Sequence, residues 1–90
     1  MKDAQYYQNA LVGKMLTFYD GWIGETTKII IRKISLERLN HRDFIRIKNE
    51  RGGCDFLVMT DKVDAMIKDG EAIITSECYG CITTSHWRLI

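Results

Sequence analysis

The sequence predicts a mostly β (α+β) domain with short helices, folded as a small barrel or a strongly bent antiparallel sheet. Three observations predict it. Short β-rich runs recur at close spacing, with Gly, Asn and Asp between them as turn formers. One long run changes the parity of its apolar positions, Ile29 and Ile31 being followed by Ile34 and Leu36, as a β-bulge would require. Ninety residues that are 46% hydrophobic can fill one modest core and not two, so residues 1–90 are expected to form a single globular domain.

In residues 3–10, with Ala4, Tyr7 and Leu11 at helical spacing, the pattern predicts a short N-terminal helix closing one end of the core. Met15-Leu16-Thr17-Phe18-Tyr19 is a strand, and Asp20-Gly21-Trp22-Ile23-Gly24 turns the chain into a second strand that begins near Thr26. A bulge near Arg32-Lys33 lets that long strand bend and serve two halves of a barrel, because one extra residue restores which face points inward. Asn40-His41-Arg42 is a turn. In Phe44-Ile45-Arg46-Ile47-Lys48, alternation sends Ile45 and Ile47 to one face and Phe44, Arg46 and Lys48 to the other. After Arg51-Gly52-Gly53, residues 54–59 read as a strand apolar on both faces and therefore central. Thr60 reads as a helix N-cap, Asp61 and Asp64 as its acidic first turn, Val63, Met66 and Ile67 as its apolar stripe, and Gly70 as its stop. Residues 72–76 and 82–89 form the last two strands, with Trp87 and Leu89 in the core. This order, an N-terminal helix, four meandering strands and a short helix before two final strands, is that of an SH3-like or Sm-like barrel.

Over residues 14–67 the layout resembles the WYL domain, an Sm-like barrel of bacterial transcription regulators and defence-associated proteins. The resemblance runs through Gly24-Glu25-Thr26-Thr27, the bent strand ending Ile34-Ser35-Leu36-Glu37, the strand at Asp43-Phe44-Ile45, and Asp61-Lys62-Val63 before a helix. It implies a regulatory role in sensing nucleotide or nucleic acid. This chain has Asp43-Phe44-Ile45 where the family has Trp-Tyr-Leu, and Phe56-Leu57-Val58 where the family has Arg-x-Phe, so the family's ligand-binding Arg has no counterpart in this register.

Charge narrows the function classes. With 13 Lys and Arg against 12 Asp and Glu, the chain is neither an acidic tail nor a histone-like packer. The balance is uneven along the chain: residues 28–51 carry eight cations against three anions, whereas residues 52–90 carry three cations against six anions. No apolar run reaches the roughly 18 residues of a membrane span and no secretory leader is visible, so a cytoplasmic location without membrane contact is expected. Three cysteines, an odd number, argue for reduced thiols or a metal rather than a disulfide framework.

Three sets of residues could carry function. Arg32, Lys33, Arg42, Phe44, Arg46 and Lys48 would form a basic, aromatic-bearing sheet face that can neutralise phosphates and stack bases, or grip an acidic protein surface. The turn aromatics Trp22 and Tyr79, with the acidic helix residues Asp61, Asp64 and Asp69, would suit an inhibitor or adaptor of the phage or mobile-element type that occludes a partner protein. Cys78 and Cys81, two residues apart on a turn, with Cys54 and His86, could make a zinc-stapled interaction domain. The ordinary readings are a solvated face, aromatics capping the barrel, and three buried thiols with no cofactor. No P-loop, dinucleotide fingerprint or metallohydrolase motif occurs, so a non-enzymatic regulatory binding module is expected, docking on nucleic acid or a nucleic-acid-handling complex. Self-association through a strand edge at residues 82–90 is a further expectation.

Overall fold

Antiparallel pairing of each strand with the next, and of the last with the first, closes a barrel in the order β1-β2-β3-β4-β5-β6. The structure, a computed structural model, describes residues 3–20, 24–50, 52, 55–78 and 80–90. Its elements are α1 (Ala4–Leu11), β1 (Met15–Asp20), β2 (Glu25–Leu39), β3 (Arg42–Asn49), β4 (Phe56–Met59), α2 (Thr60–Asp69), β5 (Glu71–Cys78) and β6 (Cys81–Leu89). The expected small barrel with two short helices is therefore the fold. Among the described residues, no helix is long and apolar enough to cross a membrane.

The bulge lies where the parity change demands it. The β2–β3 register steps from Ile31↔Asn49 to Lys33↔Lys48, leaving Arg32 as the extra residue. Ile29, Ile31 and Ile34 are all buried as a result. Leu36 keeps the inward parity but sits at the rim, beside Tyr7 and Thr60, and is 43% exposed. The β2–β3 connection is a two-residue loop with Asn40 and His41 both at positive φ, the backbone that matches the twist of a tight hairpin.

Inward residues from all six strands meet in one core. At one level Phe18 stacks on Trp87 with centroids 4.6 Å apart, and Phe56 meets both rings edge-on. The Trp87 indole N–H donates to Ser85 Oγ at 2.8 Å, so burying this ring leaves no orphan donor. The two helices add Tyr7, Leu11, Val63 and Met66. They are tied by the Tyr7 hydroxyl, which donates to Asp64 Oδ1 at 2.7 Å. Burial, reinforced by that hydrogen bond and by the Asp64 charge, pushes the phenol above its ordinary value.

Three local expectations need correction. Thr60 is the first helical residue rather than the N-cap: β4 runs straight into α2, Met59 takes the cap position with extended backbone, and Thr60 Oγ1 is buried with no hydrogen-bond partner among the described residues. Asp64 lies beyond the first turn and is engaged by Tyr7. The end of β6 is no free edge, since Trp87, Arg88 and Leu89 pair with β1.

Candidate nucleic-acid interface

The expected basic residues do come together, because the β2–β3 register points them outward side by side. Lys33 stands opposite Lys48, Ser35 opposite Arg46, Glu37 opposite Phe44 and Leu39 opposite Arg42. Residues facing each other in this way hold their Cβ atoms about 5 Å apart. On the other flank of β3, Phe44 faces Met59 and Arg46 faces Leu57 of β4. Arg32, lifted out of register by the bulge, is exposed next to Lys33.

The charges on this face are not equivalent. Arg46 forks onto Glu37, Nε to one carboxylate oxygen and Nη2 to the other at 3.1 Å, with both side chains about one-third exposed. That hydrogen bond, ahead of the Arg46 and Lys48 charges, holds the Glu37 carboxyl below the usual carboxylate range against the opposing effect of burial. Lys48 is within 4.0 Å of Asp55. Among the described residues, Arg32, Lys33 and Arg42 make no side-chain hydrogen bond or ion pair. The available positive charge therefore lies at the two ends of the face, Arg32 and Lys33 at the bulge and Arg42 at the hairpin, with a neutralised pair between.

Between β3, β4 and the β5–β6 hairpin, the outer surface dips into an open groove of about 570 Å³, lined by Arg42, Phe44, Leu57, Met59 and Ile82 among others. Phe44 is half-buried on its wall, with Arg42 next to it on the hairpin end of β3. An aromatic ring in a shallow apolar groove with a guanidinium at its edge can take a planar, stackable group. Glu37, Leu57 and Met59 belong to this face and were missed in the sequence. A signal for Glu37 existed, since a two-residue loop at Asn40-His41 fixes Glu37 opposite Phe44 and diagonal to Arg46.

The other candidate sets are described only in part. Cys54, Trp22 and Tyr79 lie outside the described residues. Cys78 and Cys81 are partners across the β5–β6 turn, but His86 lies opposite Ile73, five register positions further along. That is about 17 Å at the usual strand rise, too far for one metal ion. His86 Nε2 is instead 3.4 Å from Glu71. No group of three potential metal ligands occurs among the described residues. On α2, Asp61 and Asp69 are exposed, while Asp64 is bound to Tyr7. Comparison with protein-family models, with curated proteins and with solved structures finds no match.

Proposed function

We propose that this barrel is a non-enzymatic regulatory binding module that takes single-stranded nucleic acid on the outer face of β2, β3 and β4. The observation that carries the reading is the placement of Lys33 directly opposite Lys48, beside the bulged Arg32. Like charges facing each other across a sheet destabilise it, and a fold keeps such a pair most readily where an anion is to sit. The strand could then run along β3, with phosphates at the Lys33–Lys48 end, a base on Phe44 in the groove, and a further phosphate at Arg42. Bases would be held by stacking rather than by edge recognition, so affinity should depend little on sequence.

A second reading is favoured by the groove. Leu57, Met59 and Ile82 offer apolar contact that a phosphate backbone does not use, and would suit a protein segment carrying acidic residues around one apolar side chain. One experiment separates the two. A labelled single-stranded oligonucleotide is titrated across a salt series with the native chain and a Lys33→Ala, Lys48→Ala variant. Nucleic-acid binding predicts a linear fall of log affinity with log salt, shallower in the variant by about 1.4 for two lost phosphate contacts. No binding at low salt would overturn the proposal and leave the protein-segment reading.

A further inference from the structure

Strand β6 is paired along one side throughout and along the other only at its end. Towards β5 its ladder is unbroken from Glu71↔Arg88 to Cys78↔Cys81. Towards β1 it stops at Phe18↔Trp87, and Tyr19 and Asp20 have no partner in β6. Among the described residues, then, residues 82–86 have one open side.

Two sets of hydrogen bonds fix which backbone groups face it. Ile90 exchanges bonds with Met15 of β1, at 2.9 and 3.3 Å, and the Leu89 N–H donates to Gly70 on the β5 side at 2.8 Å. Successive residues of an antiparallel strand turn their N–H and C=O to opposite sides. Counting back from Ile90 along the unbroken register, Ile82, Thr84 and His86 each turn both groups to the open side. That makes three donors and three acceptors in a row. No Lys, Glu or Pro guards this stretch, although natural sheets commonly place them on open edges.

We propose that residues 82–86 pair with the same stretch of a second copy of this chain, antiparallel about a two-fold axis through Thr84. In that register Thr84 meets Thr84 of the second copy, and Ile82 meets its His86. All three pairs are of the kind that exchange two hydrogen bonds, so six bonds close and no outward group is left over. The spacing is self-complementary, as a two-fold interface must be. Charge permits it as well: Ile82, Thr83, Thr84 and Ser85 are uncharged, and His86 is held by Glu71 of its own chain, so no like charges face each other across the axis. Ile82, 71% exposed, is brought onto the same sheet face as Ile73 of the second copy, 66% exposed, with only His86 between them. Ile82 also lines the groove beside Phe44, but the charges and the aromatic ring of the nucleic-acid face lie on β2 and β3, so this inference does not rest on the proposed function.

Light scattering of the full chain across a wide concentration range tests it. The expected mass is twice the 10.5 kDa of one chain. Thr84→Lys and Thr84→Glu should each halve it, by placing like charges across the axis, and an equimolar mixture of the two should restore it. Circular dichroism confirms folding of each variant, and Ile82→Lys at a neighbouring exposed site gives the same halving should either Thr84 variant fail to fold. A native chain that stays at 10.5 kDa throughout, variants that remain double, or a mixture that stays single would overturn the two-fold pairing, and in the first case the edge is left for a foreign strand.

Discussion

Replacing Glu37 by Gln should strengthen anion binding while weakening the fold, two effects of opposite sense that a general loss of structure cannot produce together. In the native chain Glu37 takes both donors of the Arg46 fork. Gln keeps the shape and one acceptor but removes the charge, so Glu37 no longer offsets the positive charge of Arg46 on the face that meets a phosphate. One additional phosphate contact steepens the salt dependence for a single strand by about 0.7, which at 0.1 M salt is about fivefold in affinity. The cost to stability is modest because both partners are about one-third exposed: about 0.5–1 kcal/mol, or a Tm lower by about 2–8 °C. Proton linkage gives a second readout. The Glu37 carboxyl has its pKa depressed in the folded state, so its contribution is present above the unfolded value of about 4.3 and is lost as pH falls through the folded one. The native and Glu37→Gln stability curves should therefore differ at neutral pH and converge in acid. Fluorescence anisotropy with a labelled oligonucleotide, alongside thermal melts at several pH values, measures all of this. Binding that is unchanged or weaker, with the native salt slope, would refute the assignment of Arg46 to a shared role between carboxylate and phosphate.

Two further predictions concern the scaffold. Deleting Arg32 should leave unfolding cooperative, since Ile31, Lys33 and Ile34 then alternate inward, outward and inward with no bulge and only the local bend is lost, and Arg32→Ala should stay within about 0.5 kcal/mol of native; urea denaturation measures both, and loss of the cooperative transition in the deletion would show that the bend itself is needed to close the barrel. Tyr7→Phe should lower stability by about 1–2 kcal/mol, because the buried ring stays while the hydroxyl's hydrogen bond to Asp64 is lost, and a thermal melt shows it.

The fold was legible where a residue type and its period agreed. Ile45 and Ile47 announced an inward face, the parity switch from Ile31 to Ile34 announced a bulge, and Asn40-His41 announced a hairpin. Single-residue detail was not legible where an element had no loop before it. Thr60 carries the right side chain for a cap, but the β4 ladder holds the backbone up to Met59 and leaves no residue free to turn. The site was legible in its cations and not in its neutralisation. Periodicity says that Arg46 and Lys48 point outward, but only the pairing of two strands says that Glu37 and Asp55 stand beside them. His86 drops out of the expected zinc set on length: Cys78 and Cys81 close a turn, and strand rise carries His86 away from it.

Core and candidate site share one origin in the bulge. Before Arg32 the inward residues of β2 are odd-numbered, Ile29 and Ile31, so a regular strand running through Arg32 would put Lys33 in the core and leave Ile34 facing water. The bulge at Arg32 exchanges them. It buries Ile34 against Ile47 and at the same step sets Lys33 opposite Lys48 on the outside. Moving the bulge back to Ile31 would turn Arg32 inward in its place, whereas moving it forward to Lys33 would keep the core and set Arg32 opposite Lys48. Removing the charge of Lys33 alone should leave the core intact and relieve a repulsion. A Lys33→Ala chain that is at least as stable as the native one and binds nucleic acid more weakly would show that the pair is kept for its ligand.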